Sequence, residues 1–291
     1  MRFLVCTSFV LFLIFGTLKT HAAPSCPLTM NSNAFDDQYE GCEQEMDNAI
    51  ESYLLEQEKD ANPDFAHAWD FAMEAWHENK EYLSEEIPYG FRDEYGVAII
   101  IYSNDTVYSD FNEAVRNYDR ENFNYHSLHF FMTQAMNLLR VDCPSPVYRG
   151  VNRVRLLPEH TGERIRFGQF TSSSRNQTVA ENFGMGTFFN ISTCFGADIH
   201  NFSSYPGEEE VLIPVDEVFE VVHFTRDDGE SRFVLKTTKA RCHYYNCDFL
   251  EKGGKSRTCV YSRGTKELFS SAVIALSISV LIFIMKNVNE C

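Results

Sequence analysis

Three acidic residues in a row, Glu208-Glu209-Glu210, lead directly into the apolar run Val211-Leu212-Ile213. Strand side chains alternate between faces, so the sequence predicts Glu208 and Glu210 on one side of a strand and Glu209 on the other. Paired carboxylates in a cleft suit glycosidic chemistry, in which one stabilises positive charge at a sugar carbon and the other manages a proton. Two carboxylates held that close should raise the pKa of one of them. The competing reading is an acidic loop end solvated by water, a natural outcome in a chain with 42 acidic residues.

Other groups could line the same cleft. Tyr148-Arg149-Gly150 puts a guanidinium at the end of a predicted strand, where it can make bidentate contacts to a diphosphate, and the glycine lets a ligand approach the backbone. Phe170-Thr171-Ser172-Ser173-Ser174 supplies hydroxyls that, at a strand end, orient a carboxylate or a ribose. Taken singly each is weak, since a Ser/Thr cluster is usually a turn or a helix cap.

The elements that must position these residues divide near residue 140. Before it, Phe65, Trp69, Ala72, Met73 and Trp76 recur at the three-and-four spacing of a buried helical stripe. Leu128, Phe131, Ala135, Leu138 and Leu139 do the same, until Asp142-Cys143-Pro144-Ser145-Pro146 ends the pattern. After Pro146 come short β-rich runs: Val147-Tyr148, 186–191, Val211-Leu212-Ile213, 218–224 and 233–236. The expected fold class is α+β, an N-terminal helical lobe packed on a strand-rich, mostly antiparallel lobe with the ligand cleft between them.

Composition narrows the functions open to such a domain. The 291 residues carry 25 basic against 42 acidic side chains, a formal charge of −17. That argues against a basic nucleic-acid surface or a polybasic membrane face. Residues 1–22 combine Arg2, an apolar run from Phe3 to Phe15 and a small residue at Ala22, the pattern of a secretory signal cleaved after Ala22. Leu268 to Met285 is an uncharged apolar stretch preceded by small and polar residues, which suits a GPI signal with its acceptor near Ser262 or Gly264. The terminal Lys286 to Cys291 fits a type I membrane span instead, and both readings put the domain, residues 23–262, outside the cell.

Discounting Cys6 and Cys291, the cysteines are Cys26, Cys42, Cys143, Cys194, Cys242, Cys247 and Cys259, an odd set in a compartment where disulfides persist. Cys242-His243 with Cys247 lacks the second pair a zinc site needs, so no metal is expected. Four sequons, at Asn104, Asn176, Asn190 and Asn201, permit glycosylation.

In their order along the chain, Arg149, then Ser172-Ser173-Ser174 with Ala180 and Phe183, then Glu208-x-Glu210 resemble the R-S-ExE signature of arginine-specific mono-ADP-ribosyltransferases. The blocks Asn33 to Cys42, Phe111 to Arg116, Arg166-Phe167-Gly168-Gln169-Phe170 and Glu208 to Pro214 also look like the vertebrate ecto-enzymes of that family, including its GPI-anchored members. The resemblance covers essentially residues 33 to 247. It implies NAD as co-substrate, arginine-bearing proteins as acceptors, and a monomer reaching the membrane through its GPI anchor or C-terminal span. Arg149 would hold the NAD phosphates, Gly150 and the Gly168-Gln169 pair would add contacts, and Phe183 would stack on the nicotinamide. Ser172 would orient Glu210, and Glu210 would hydrogen-bond the ribose and stabilise its developing charge. Glu208 would activate the acceptor guanidinium. Residues 197–207 would form the acceptor-recognition loop, with Tyr205 as its aromatic face. The family's disulfides would be Cys143 with Cys194 and Cys42 with Cys247, leaving Cys26, Cys242 and Cys259 unassigned.

Two departures bear on acceptor choice: the Asn201 sequon lies inside that loop, and Gly207 directly precedes the glutamates. Three competing functions stay open: an NAD glycohydrolase using the same site, a glycan hydrolase with two carboxylates, and a catalytically silent cell-surface binding module of the same fold.

Overall fold

The structure is a computed structural model that describes residues 25–152, 155–227 and 230–263. The signal sequence at 1–22, the acceptor candidate Gly264 and the apolar stretch from Leu268 lie outside the described residues.

The N-terminal part is helical as the periodicity predicts: α1 (Glu43–Ala49), a π-helical turn (Ile50–Leu54), α2 (Leu55–Ala61), α3 (Pro63–Asn79), α4 (Asp93–Ser103), α5 (Tyr108–Arg116) and α6 (His126–Leu138). Helix α3 starts where Pro63 follows Asn62, whose side chain accepts the Phe65 N–H at 3.1 Å. Its stripe Phe65, Trp69, Ala72 and Trp76 is buried, with Met73 packed at the margin. On α6, Leu128, Phe131 and Ala135 are buried and Leu139 packs against the core, but Leu138 is exposed, on the outward side of the last turn. Helix α4 is apolar on every side and accordingly sits inside the lobe. Its Gly96 lies flat on the Trp76 ring, where a Cβ would come within 2.4 Å of the indole.

The strands are β1 (Ser25–Pro27), β2 (Ser145–Val151), β3 (Arg155–Leu157), β4 (Arg164–Ile165), β5 (Thr171–Ser174), β6 (Thr187–Thr193), β7 (Ala197–Asp198), β8 (Glu210–Ile213), β9 (Glu217–Asp227), β10 (Glu230–His243) and β11 (Val260–Arg263), with the short helix α7 (Gln177–Asn182) between β5 and β6. Among the described residues the main sheet runs β4-β9-β10-β6-β2-β5-β8-β7, with β11 added on β10. It is mixed, since β6 and β10 are parallel while the other neighbours are antiparallel. The N-terminal β1 joins β3 in a small parallel sheet, so among the described residues a strand precedes the helical lobe.

Two apolar cores result. One fills the helical lobe and reaches Phe170, Ile199 and Leu212. The other lies along the sheet around Val147, Phe189, Ile191, Phe219 and Phe233.

Candidate active site

The sheet opens between β2 and β5. These strands share a single registered pair, Tyr148 with Ser174, whereas β2 and β6 are paired over seven residues. Arg149 bridges the opening by donating its Nη1 to the Ser172 carbonyl at 2.5 Å. On the next strand Ser174 lies opposite Glu210, so Tyr148, Ser174 and Glu210 stand level across three strands. A cavity of about 600 Å³ fills the gap, lined by Arg149, Gly150, Ser172, Phe183, Tyr205, Glu208 and Glu210 among others. Its size is that of a small-molecule site, ~300–1,000 Å³.

The two glutamates face this cavity by a route the sequence did not suggest. Glu208 ends a 3₁₀ turn (Pro206–Glu208), Glu209 takes the left-handed conformation at φ 48°, and only Glu210 belongs to β8. The turn, and not strand alternation, brings Glu208 to the cavity and sends Glu209 outward, where its Oε1 accepts from Asn176 at 3.1 Å. The Ser174 hydroxyl fixes this geometry by donating to the Glu208 carbonyl at 2.7 Å.

Both carboxyls are pushed above the usual carboxylate range, not just one of the pair. For Glu210 burial is the main cause, reinforced by the negative Glu208 and opposed by hydrogen bonds from Ser172 and Ser203 and by the charge of Arg149. The Ser203 hydroxyl lies 3.4 Å from the Glu210 Oε2. For Glu208 burial again leads, with Asp105 adding repulsion. Burial favours the neutral acid, so the pair is poised to accept either a proton or a nearby cation.

Gly150 lines the cavity, but the reason it must be glycine is packing. A Cβ there would lie 2.1 Å from the Ala180 carbonyl and 2.4 Å from that of Gly184. Its bare backbone seats the end of α7, and Phe183, the residue that closes that helix, projects into the cavity 53 % exposed.

The Gly168-Gln169 pair does not line the cavity. Gly168 carries a turn at φ +70° against the Asn31 side chain, and the Gln169 amide oxygen is taken by the Arg116 guanidinium. Three residues escaped the sequence reading. Tyr102 comes from the buried α4, donates to the Phe170 carbonyl at 3.0 Å and lies 3.4 Å from the Ser172 hydroxyl. Ser203 touches Glu210, and Asp105 acts on Glu208. The apolar run of α4 gave no sign of the first, and isolated serines and aspartates on loops carry no signal.

Cys42 is joined to Cys247 and Cys143 to Cys194, as the resemblance implies. A third bridge joins Cys242 to Cys259, and Cys26 is free and exposed. Cys242 and Cys247 therefore have no thiolate to offer a metal.

Comparison with known proteins agrees with this geometry. A model of the family described as "NAD:arginine ADP-ribosyltransferase" matches residues 28–243. Ecto-ADP-ribosyltransferase 5 of Rattus norvegicus is 39% identical over 273 residues, covering 89% of this chain and 87% of the relative. GPI-linked NAD(P)(+)--arginine ADP-ribosyltransferase 1 of Oryctolagus cuniculus is 38% identical, covering 80% of this chain and 77% of the relative. Among solved structures, a mutant of the eucaryotic mono-ADP-ribosyltransferase ART2.2 in complex with NADH superposes with a TM-score of 0.68 at 36% identity, covering 76% of this chain and 98% of that one.

Proposed function

The chain belongs to the NAD:arginine ADP-ribosyltransferase family, and from that premise we propose how its residues divide the transfer of ADP-ribose from NAD to a protein arginine. The observation that carries the assignment is the meeting of Arg149, Ser172, Phe183, Glu208 and Glu210 around one cavity. Those residues suit NAD: a guanidinium for the diphosphate, an exposed ring for the nicotinamide, and a buried carboxylate for the ribose.

Arg149, already tied to the Ser172 carbonyl, presents its remaining N–H groups to the phosphates. Phe183 offers its face to the nicotinamide. Ser172, backed by Tyr102, orients the Glu210 carboxylate. Glu210 accepts a ribose hydroxyl and stabilises positive charge as the nicotinamide bond breaks and the neutral base leaves with the bonding pair. Glu208 solves the acceptor's problem. An arginine side chain is protonated with a pKa above about 12 and is no nucleophile until a carboxylate takes or shares a proton. Glu208 takes that proton as the guanidino nitrogen bonds the ribose carbon. Tyr205, 46 % exposed at the mouth, holds the incoming guanidinium against its ring.

We infer further that the domain of residues 23–262 acts as a monomer on the outer face of the plasma membrane, held by a GPI anchor or by a C-terminal span. Three disulfides support an oxidising compartment. Release of activity from cells by a phosphatidylinositol-specific phospholipase separates the two anchors.

The deciding experiment is incubation of the purified enzyme with NAD and agmatine, followed by mass spectrometry. An ADP-ribosyl-agmatine conjugate is expected, and free ADP-ribose alone would make the protein a glycohydrolase.

A further inference from the structure

A second cavity, of about 500 Å³, opens beside the catalytic one. The two share Tyr205. One wall is α3 and the segment after it, with Phe71, Ala75, Tyr82 and Leu83. The other is the loop leading to the glutamates, with Phe202 and Tyr205. Ser203 also lines this hollow while its hydroxyl reaches toward Glu210, so one short loop walls both cavities.

The chemistry of the hollow differs from that of its neighbour. Phe71 and Tyr82 are 51 % and 88 % exposed, which leaves apolar surface in water on the wall of this hollow. The stretch of chain that supplies this wall is acidic. Glu74, Glu78, Glu81, Glu85 and Glu86 are all exposed, while Lys80 is occupied by Asp93 at 2.8 Å.

An apolar pocket walled by an acidic stretch of chain, and sharing Tyr205 with a cavity that takes a guanidinium, fits one kind of occupant. We propose that this hollow is a subsite for the acceptor protein and takes a bulky apolar or aromatic side chain near the target arginine, in a segment that carries further positive charge. An extended chain advances ~3.3 Å per residue, so a neighbour two or three positions away reaches an adjoining pocket while the arginine lies at Glu208. The carboxylates of that stretch favour flanking lysines or arginines and draw such segments in. This inference rests on the transferase reading and names the acceptor class for the same site. Asn104 and Asn201, both sequon residues, line the hollow as well, so a glycan on either would narrow it.

The test measures kcat/KM of the full enzyme, enzymatically deglycosylated, for three acceptors. These are agmatine, a lysine-flanked peptide with one arginine and a phenylalanine two residues from it, and the same peptide with alanine in place of the phenylalanine. Filling the hollow is expected to favour the phenylalanine peptide about tenfold. Phe71→Ala, a change at an exposed wall residue, should erase that preference and leave agmatine transfer as it was. Equal kcat/KM for the two peptides overturns the proposal, as does a Phe71→Ala enzyme that loses agmatine and peptide transfer alike. Failure of the unaltered enzyme to modify agmatine overturns the transferase reading itself, and the subsite with it.

Discussion

Asp36 and Glu210 are both buried carboxylates, and the fold treats them in opposite ways. Asp36 accepts the Tyr244 and Tyr245 N–H groups at 2.9 and 3.0 Å and pairs with the Arg166 guanidinium, which is itself shared among the Met30, Asn31 and Cys242 carbonyls. Its neighbour Asp37 takes three more backbone donors, from Tyr39, Cys247 and Asp248. These residues fasten the N-terminal segment to the end of β10, where the Cys42–Cys247 bridge adds a covalent tie. Glu210 has only two serine hydroxyls, and Glu208 has no hydrogen-bond donor among the described residues. A carboxylate with both oxygens engaged by three fixed donors holds structure together. One whose lone pairs are left open, at the cost of burial, is reserved for a partner that arrives later.

The largest effects should break along that line. Glu210→Gln removes the charge that stabilises the developing cation, so nicotinamide release and arginine transfer should both fall by about 10³-fold or more, with the thermal midpoint held or raised. Asp36→Ala should do the reverse. It strands Arg166, which is fully buried, and should cost about 3–5 kcal/mol in urea unfolding while the molecules that remain folded keep their turnover. A Glu210→Gln enzyme as unstable as the Asp36→Ala one would show that the site glutamate is structural after all.

How much of this was legible beforehand depends on what each residue's signal is. The helical stripes of α3 and α6 are readable because burial imposes a period on the sequence, and Leu138 departs from it on the outward side of the last turn of α6. The order of Arg149, Ser172, Glu208 and Glu210 was readable because it resembles a family pattern. Their meeting across the β2–β5 opening was not, since pairing between strands leaves no local mark. Helix α4, with the run Gly96-Val97-Ala98-Ile99-Ile100-Ile101-Tyr102, buries every side and so shows no helical period. Tyr102 and its contact to Ser172 were hidden with it. The sequence marks Gly150 for a ligand's approach, whereas the structure gives its bare backbone to a helix end. The Asp36-Asp37 block shows in the sequence only as resemblance, since most of its backbone donors lie some 200 residues along the chain.

The contrast can be sharpened within the site. Glu208→Gln leaves Glu210 and the NAD contacts in place but offers the guanidinium no base. Transfer to agmatine should fall about a hundredfold, while slow release of nicotinamide to water persists. Parallel losses of both reactions, read by chromatography of the same samples, would merge the two glutamates into one role.

The smallest effect asks how complete compensation is away from the site. Glu217 accepts the Thr193 hydroxyl at 2.5 Å and the Cys194 N–H at 2.8 Å, with the Thr237 side chain as a third donor, yet burial still pushes it from an ordinary 4.5 up to about 7. A raised carboxyl keeps its proton in the folded state after the unfolded chain has lost it. Its contribution is therefore full below pH 4.5 and drains away as pH rises through about 7. Glu58, also raised to about 7, acts in the same direction, whereas His126 and His129, pushed down by burial to about 3, destabilise as pH falls below 6.5. These opposing groups blur the parent's own pH profile, so the informative quantity is the difference between Glu217→Gln and the parent. The neutral amide should gain on the parent between pH 5 and 8 by on the order of 1 kcal/mol in urea unfolding. A flat difference would mean that three donors suffice to keep a fully buried Glu217 ionised, and donor count alone would then separate the anchors from the catalytic pair.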